Sequence, residues 1–331
     1  MKRIAALLLL FALGVSLAAC SPKEKRVEGF SMGSDYYVEY FSSVSLDSKI
    51  RDRLSSIEGS FSIRAEGSFL SKINESSKGE SITLTEEESE VLKRCFELAG
   101  KSGEAFSPTL YPLVELWGFN PPDYEMNGKI PPDEQRIQAC LKKISTDGFS
   151  LTEEGALTKI NEGAALDLGG AIKGYAAEQV RDLLEEKGAT EALVYVGGTI
   201  AAVGRDYRIG VTSPRGSQAD YAFSFSLSAG EICATSGDYE RCYFYQNKRY
   251  HHILNGKTGY PADSGIISAT IISEDGLLAD ALATAVVVLG EEKGLSLVRS
   301  CGAKAALITS DNRVVTSRLE IILKDTCYEV R

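Results

Sequence analysis

Histidine is almost missing from this chain: of 331 residues only His251 and His252 carry imidazoles, and they are adjacent. A zinc site built from several histidines is excluded, and any imidazole chemistry is confined to one point of the sequence. Basic residues are outnumbered, with 36 Lys and Arg against 46 Asp and Glu and a formal charge of −10. That balance argues against a nucleic-acid partner held by counterion release. Tryptophan occurs once, proline nine times, and no repeat or low-complexity segment interrupts the chain. No CxxC pair is present, and no apolar run reaches the roughly 20 residues of a membrane-spanning helix. What remains is a globular balance, 44% hydrophobic and 25% charged, which excludes a disordered, collagenous or multi-spanning protein and leaves ample chain for a core.

The N-terminus reads as a targeting segment. Lys2 and Arg3 precede sixteen uncharged residues, Ile4 to Ala19, centred on four consecutive leucines and ending in Leu17-Ala18-Ala19-Cys20. The stretch is too short to span a bilayer and ends in small residues, as an export signal does. The Leu-Ala-Ala-Cys end resembles a bacterial lipobox, which implies an acylated Cys20. A lipoprotein anchored to a bacterial membrane and facing the periplasm is therefore expected. The expected division is a signal peptide over 1–19, a polar lipidated tether over 20–29 and one folded domain over 30–331. Six cysteines follow Cys20, and their even number permits three disulfides, while a large core equally allows six reduced thiols. No catalytic thiol is expected.

Periodicity predicts a strand pair over Val27 to Phe41 around Met32-Gly33-Ser34, and an amphipathic helix over 46–58. Thr85 and Glu88 form a capping box for a helix closed by Gly100. Asn120 to Pro132 reads as a loop, followed by a short helix over 133–141 and short strands near 156–160. A helix over 171–187, stopped by Gly188, leads to a strand at Glu191 to Val196, a Gly197-Gly198 turn and an alternating strand at Tyr221 to Leu227. A strand over Ile266 to Ile272, a nearly all-apolar helix over 276–289 and strands from Lys304 onward complete the pattern. Recurrent hairpin-like pairs predict an α+β fold of mixed, largely antiparallel sheets with flanking helices.

Four segments could carry chemistry. Gly169-Gly170 opens a helix whose free backbone N–H groups suit a phosphate, with Lys173 one turn in; the spacing is neither a Walker nor a dinucleotide loop, and a purely structural turn reads equally well. Asp280 is the only charge between Leu277 and Leu289, and Thr284 lies four residues on, so both share a helix face. A lone carboxylate in so apolar a helix needs a partner or a metal. Carboxylate, hydroxyl and a backbone carbonyl are the hard oxygen donors that suit Mg²⁺, although Asp280 could instead cap a helix that starts later. His251-His252 before a turn could supply one general base and one packing residue, or two idle loop histidines. Thr235 to Arg241 reads as a polar turn whose Ser236 leaves a Ser–His–Asp hydrolase open.

In order along the chain, these segments resemble the ApbE family, the FAD:protein FMN transferases. The resemblance covers Met32-Gly33, Phe61-Ser62 through Asn74, Ser102 through Thr109, Pro112-Leu113-Val114, Leu116 through Phe119, Asp167 through Gly174, Val196-Gly197-Gly198, Ser236 through Tyr239, His252-Ile253 with Thr258-Gly259, and Ala279 through Thr284. It implies an enzyme that transfers FMN from FAD, its substrate, onto a Thr or Ser hydroxyl of an acceptor flavoprotein, with AMP leaving. It implies Mg²⁺ on the Gly170 carbonyl, Asp280 and Thr284, and FAD along Met32, Ala105, Phe106, Ser107, Asp167, Lys173, His252 and Ile253. Lys173 would stabilise charge in flight, and His252 would take the hydroxyl proton.

Four positions depart from the family's pattern: Ser107 before Pro-Thr where Asp is frequent, Thr199 after the glycine pair where Asp or Asn is common, Asn255-Gly256 for Asp-Pro, and Arg64 where transferases often carry Tyr. Arg64 falls on the flavin side of the site and bears on transfer against hydrolysis; two rivals stand beside transfer, the second opposed by the intact His252, Asp280 and Lys173. One is a Mg²⁺-dependent FAD pyrophosphatase, in which water replaces the acceptor hydroxyl. The other is a non-catalytic flavin-binding lipoprotein.

Overall fold

The computed structural model describes residues 21–119, 129–216 and 220–331. The expected signal peptide, Cys20 and most of the expected loop over 120–132 lie outside the described residues.

Nine strands form one large sheet: β1 (Lys23–Ser31), β2 (Ser34–Ser42), β3 (Glu191–Val196), β4 (Thr199–Val203), β5 (Ile232–Gly237), β6 (Ile266–Ser273), β7 (Lys304–Thr309), β8 (Arg313–Ser317) and β9 (Glu329–Val330). Their spatial order is their chain order. Every pair is antiparallel except the last, β8 with β9. The α+β reading holds, with everything else inserted between neighbouring strands of this meander.

The longest insertion joins β2 to β3 and carries α1 (Asp47–Phe61), α2 (Phe69–Glu75), α3 (Glu86–Ser102), α4 (Tyr111–Trp117), α5 (Glu134–Leu141) and α6 (Ile172–Glu186). Between β6 and β7 lie α7 (Gly276–Leu289) and α8 (Glu291–Ser300). The helices α6 and α7 cover one face of the sheet. A three-stranded sheet of Tyr207–Thr212, Tyr221–Leu227 and Ile322–Leu323 covers the other, burying Phe223 and Phe225 against Cys233 and Ile272. Strand β6, buried on both faces, is apolar or hydroxyl-bearing throughout its length, and α7 is buried nearly all round because it packs on β5, β6, α6 and α8 at once.

Local chemistry explains most boundaries. Thr85 accepts from Glu88 N–H while Glu88 caps Thr85 N–H, the reciprocal pair that starts α3. That helix runs through Gly100 and ends instead at Gly103, which adopts φ +60 and receives the last turn. The N-cap of α7 is Asp275, whose carboxylate accepts from Leu278 N–H, so Asp280 is not a cap but sits inside the helix. Two further expectations are corrected. Residues 23–29 are not tether but the start of β1, paired with β2 over its whole length, with Val27 buried. Their charges belong to an exposed sheet edge, where they discourage further pairing. Thr235, Ser236 and Gly237 are the end of β5 rather than a turn. Helix α8 has no counterpart in the sequence reading. All six described cysteines are free thiols.

Candidate active site

The meander places three connections at one end of the sheet, and a cleft of ≈ 340 Å³ opens between them. That volume lies within the range of small-molecule pockets. The start of α6 and the inner face of α7 supply its polar corner. Asp167 Oδ1 accepts from Gly169 N–H at 2.8 Å, and Asp167 N–H is tied to the Pro108 carbonyl at 2.8 Å, which sets the Gly-Gly turn. Lys173, the second residue of α6, donates to the Gly169 carbonyl at 2.8 Å.

The two helices cross where both have glycine. A Cβ on Gly174 would collide with the Gly276 carbonyl oxygen and lie 2.7 Å from Asp280 Cβ. The absence of a side chain lets Gly174 N–H donate to Asp280 Oδ2 at 3.0 Å, orienting a carboxylate whose residue is 4% exposed. Lys173 Nζ stands 3.9 Å from the same oxygen. Thr284 Oγ1 would be 3.2 Å from a Cβ on Gly170 and lies 3.4 Å from Ser236 Oγ. Gly170, Asp280 and Thr284 therefore meet in one corner. Their oxygens are all hard donors, and one carboxylate with waters and phosphate oxygens is the ordinary environment of Mg²⁺, so the donor set fits that ion. Among the described residues no cluster of three His, Cys, Asp or Glu side chains exists, which separates this corner from an all-protein cage.

The hairpin of Cys242–Tyr245 and Lys248–His251 delivers the histidines. His251 is buried at the end of that hairpin, its Nε2 against the Ala262 carbonyl at 2.9 Å, and takes no part in the cleft lining. His252 lines the cleft, its backbone N–H held by the Arg241 carbonyl at 3.0 Å and its Nδ1 buried without a hydrogen-bond partner among the described residues. Burial, reinforced by Arg241, His251 and Lys173, pushes its pKa well below the ordinary imidazole value. The pair is neither idle nor exposed: one ring packs and the other faces the cleft. Ser236 bonds Thr284 rather than an imidazole, and Asp238 is held bidentately by Arg215 at 2.7 and 2.8 Å, so no Ser–His–Asp triad forms among the described residues.

Phe61, Phe106 and Phe119 add an apolar wall, with the Phe106 ring against Gly170, and the β1–β2 turn lines the same cleft. Met32 sits in that turn at φ +52, a conformation unusual for its residue type, and Glu58 of α1 pins it by accepting from Met32 N–H at 3.1 Å and Ser31 Oγ at 3.0 Å. Glu58 is the residue that sequence reasoning missed. It is an ordinary solvated helix position until the turn lands on it. Glu240 also lines the cleft and is exposed to solvent.

Of the residues singled out in advance, the cleft brings together Met32, Arg64, Phe106, Ser107, Asp167, Gly170, Lys173, His252, Ile253, Asp280 and Thr284. Ala105 is not among its lining; it is buried in the core beside Phe106. Ser107 pairs with Thr109 Oγ1 at 2.9 Å, Thr199 is buried in β4 away from the cleft, and Asn255 keeps its turn by accepting from Lys257 N–H at 2.9 Å.

Fold and cleft together define a class: a large antiparallel meander with a glycine-opened helix start, an ammonium, hard oxygen donors and an imidazole around one cavity. Comparison with known proteins makes this specific. The ApbE family model matches residues 32–308. A FAD:protein FMN transferase of Haemophilus influenzae is 30% identical over 337 residues, covering 96% of each chain. One of Treponema pallidum is 32% identical over 247 residues, covering 69% of this chain and 67% of that one. The solved ApbE protein of Thermotoga maritima superimposes with a TM-score of 0.78 at 30% identity, over 92% of this chain and 98% of that one. The flavinyl transferase ApbE of Pseudomonas stutzeri gives 0.76 at 28%, over 90% and 95%. The chain belongs to the ApbE family and is a transferase enzyme.

Proposed function

We propose that this enzyme transfers FMN from FAD to a Thr or Ser hydroxyl of an acceptor flavoprotein, releasing AMP. What carries the reading is the convergence of Lys173, the Gly170–Asp280–Thr284 corner and His252 in one cleft with an apolar wall. Pyrophosphate needs counter-charge on one side and a proton acceptor on the other; the wall suits a flat flavin ring.

Gly170, Asp280 and Thr284 would hold Mg²⁺, which when bound supplies charge neutralisation at phosphate oxygens. The start of α6 and Lys173 hold the pyrophosphate. His252 is neutral at working pH because burial disfavours its charged form, so its ring can accept the proton of the acceptor hydroxyl. That oxygen forms a bond to the FMN-side phosphorus while the bond from this phosphorus to the bridging oxygen breaks. AMP departs with the electron pair. The apolar wall of Phe106 and Phe119 limits water at the phosphorus.

Arg64 lines the same cleft; should it replace an aromatic ring against the flavin, FAD would be held less firmly and some hydrolysis to free FMN and AMP would accompany transfer. The Leu17-Ala18-Ala19-Cys20 sequence supports a periplasmic enzyme lipid-anchored through Cys20. Incubating residues 21–331 with FAD, Mg²⁺ and a candidate acceptor separates the readings. Protein-bound FMN is the expected product; free FMN alone would establish a pyrophosphatase, and unchanged FAD would overturn catalysis.

A further inference from the structure

The ammonium of Lys173 occupies a conflicted position. It lies 3.9 Å from Asp280 Oδ2, the one carboxylate in the corner suited to a divalent cation, yet its hydrogen bond goes to the Gly169 carbonyl at 2.8 Å. Asp280 is 4% exposed, so without a nearby cation its charge would be held by a single backbone N–H, that of Gly174. A divalent cation bound by Asp280 would meet Lys173 as a like charge in a partly desolvated corner, where such repulsion is weakly screened. The lysine and the metal thus compete for one oxygen.

The surroundings let only the end of the side chain respond. A Cβ on Gly197 would lie 2.7 Å from Lys173 Cδ and 2.7 Å from Ser34 Cβ, so the stem is packed beneath the β3–β4 turn and cannot retract. Beyond Cδ the ammonium lines the open cleft, and on the far side of the same turn Glu240 Oε1 would be 3.9 Å from a Cβ on Gly198. Glu240 lines the same cleft and is exposed to solvent.

We infer that Lys173 is a displaceable internal cation, which neutralises Asp280 in the empty cleft and is drawn off it by an anionic ligand, so that a divalent cation and a pyrophosphate-bearing ligand bind cooperatively through this one ammonium. The inference deepens the proposed function and rests on its Mg²⁺ site. By linkage, whatever the anion does for the cation the cation does equally for the anion.

Calorimetric titration of Mg²⁺ into residues 21–331 tests it, with and without saturating ADP as an unreactive pyrophosphate probe and with correction for Mg–ADP in solution. For the native protein, Mg²⁺ affinity is expected to rise about tenfold or more when ADP is present, within the usual span of coupling between sites. Lys173→Met is expected to bind Mg²⁺ alone about tenfold more tightly than the native protein and to lose most of the enhancement. Lys173→Arg keeps the charge and is expected to stay weak. Equal or weaker Mg²⁺ binding by Lys173→Met, with its unfolding midpoint unchanged, overturns the inference while leaving the metal site intact. Asp280→Asn distinguishes the other failure: native Mg²⁺ affinity in that variant would remove the metal from this corner, and both readings would fall.

Discussion

Gly174→Ala is expected to damage both stability and the cleft, although the same exchange in an open helix is stabilising. Gly174 lies in the first turn of α6, where alanine is favoured over glycine by about 1 kcal/mol. The new methyl would strike the Gly276 carbonyl and crowd Asp280 Cβ at 2.7 Å. Neither neighbour is the free end of a flexible side chain, so α6 and α7 must separate. Overpacking of this kind costs about 1–3 kcal/mol. Separation also stretches the 3.0 Å bond from Gly174 N–H to Asp280, and a hydrogen bond to a charged group contributes about 1.5–3 kcal/mol. The net loss, after the propensity gain, is about 1.5–5 kcal/mol. Gly100→Ala is the control: Gly100 is helical, in α3, and a Cβ there meets nothing within 4 Å, so it should gain about 0.5–1 kcal/mol. Urea unfolding of both variants at constant m gives the two midpoints, and Mg²⁺-dependent FAD turnover reports the cleft. A midpoint for Gly174→Ala that rises as the control's does would refute the argument that the helices meet backbone to backbone.

His252→Ala should stop transfer while leaving FAD binding largely intact, whereas His251→Ala should act through stability; similar loss of the chemical step in both would remove the distinction drawn from the cleft lining. Because the folded-state pKa of His252 is depressed, its neutral form contributes stability above the unfolded imidazole value of about 6.5 that is lost as pH falls toward the folded pKa. Acid unfolding of His252→Gln should accordingly be shallower in the range below that value, checked by midpoints at a series of pH values. Arg64→Tyr should lower free FMN release and raise the FAD that copurifies; no change in either would place Arg64 outside the flavin's reach. Cys20→Ala should abolish labelling of the expressed protein by a fatty acid, and persistent labelling would contradict the proposed anchor.

What the sequence disclosed was what is local. The Thr85–Glu88 box carries its meaning within a few residues and stands as read, and Tyr221 to Leu227 is a strand, although Ala222 and Ser224 are buried along with Phe223 and Phe225 while Tyr221 is exposed, so it is not the half-buried alternation expected. The ends of elements were less legible where two signals compete. Gly100 and Gly103 both offer a helix stop, and the one whose backbone adopts positive φ prevails. The charged start of β1 read as tether because a sheet edge and a solvated linker share a composition. Least legible were contacts across long separations. Glu58 reaches Met32 over 26 residues, and Gly174 meets Asp280 over 106; the lone carboxylate announces that it needs a partner, but neither Glu58 nor the backbone of Gly174 looks like one until the meander folds. The cleft residues could be named from the resemblance, but the glycine crossing that aligns them could not.

With Cys20 lipidated as proposed, the early start of β1 would set a geometric limit on where the enzyme works. Only Ser21 and Pro22 separate Cys20 from the first paired residue, Lys23, so a lipid on Cys20 would moor the domain by a leash of about 10 Å rather than a ten-residue cord. From there β1 rises as a stiff mast of nine residues, about 30 Å long, to Ser31, beside Met32 at the cleft. The cleft could then stand no higher than about 40 Å above the lipid surface. An acceptor would have to bring its hydroxyl into that shallow layer, which suits membrane-bound flavoproteins and disfavours those diffusing at a distance.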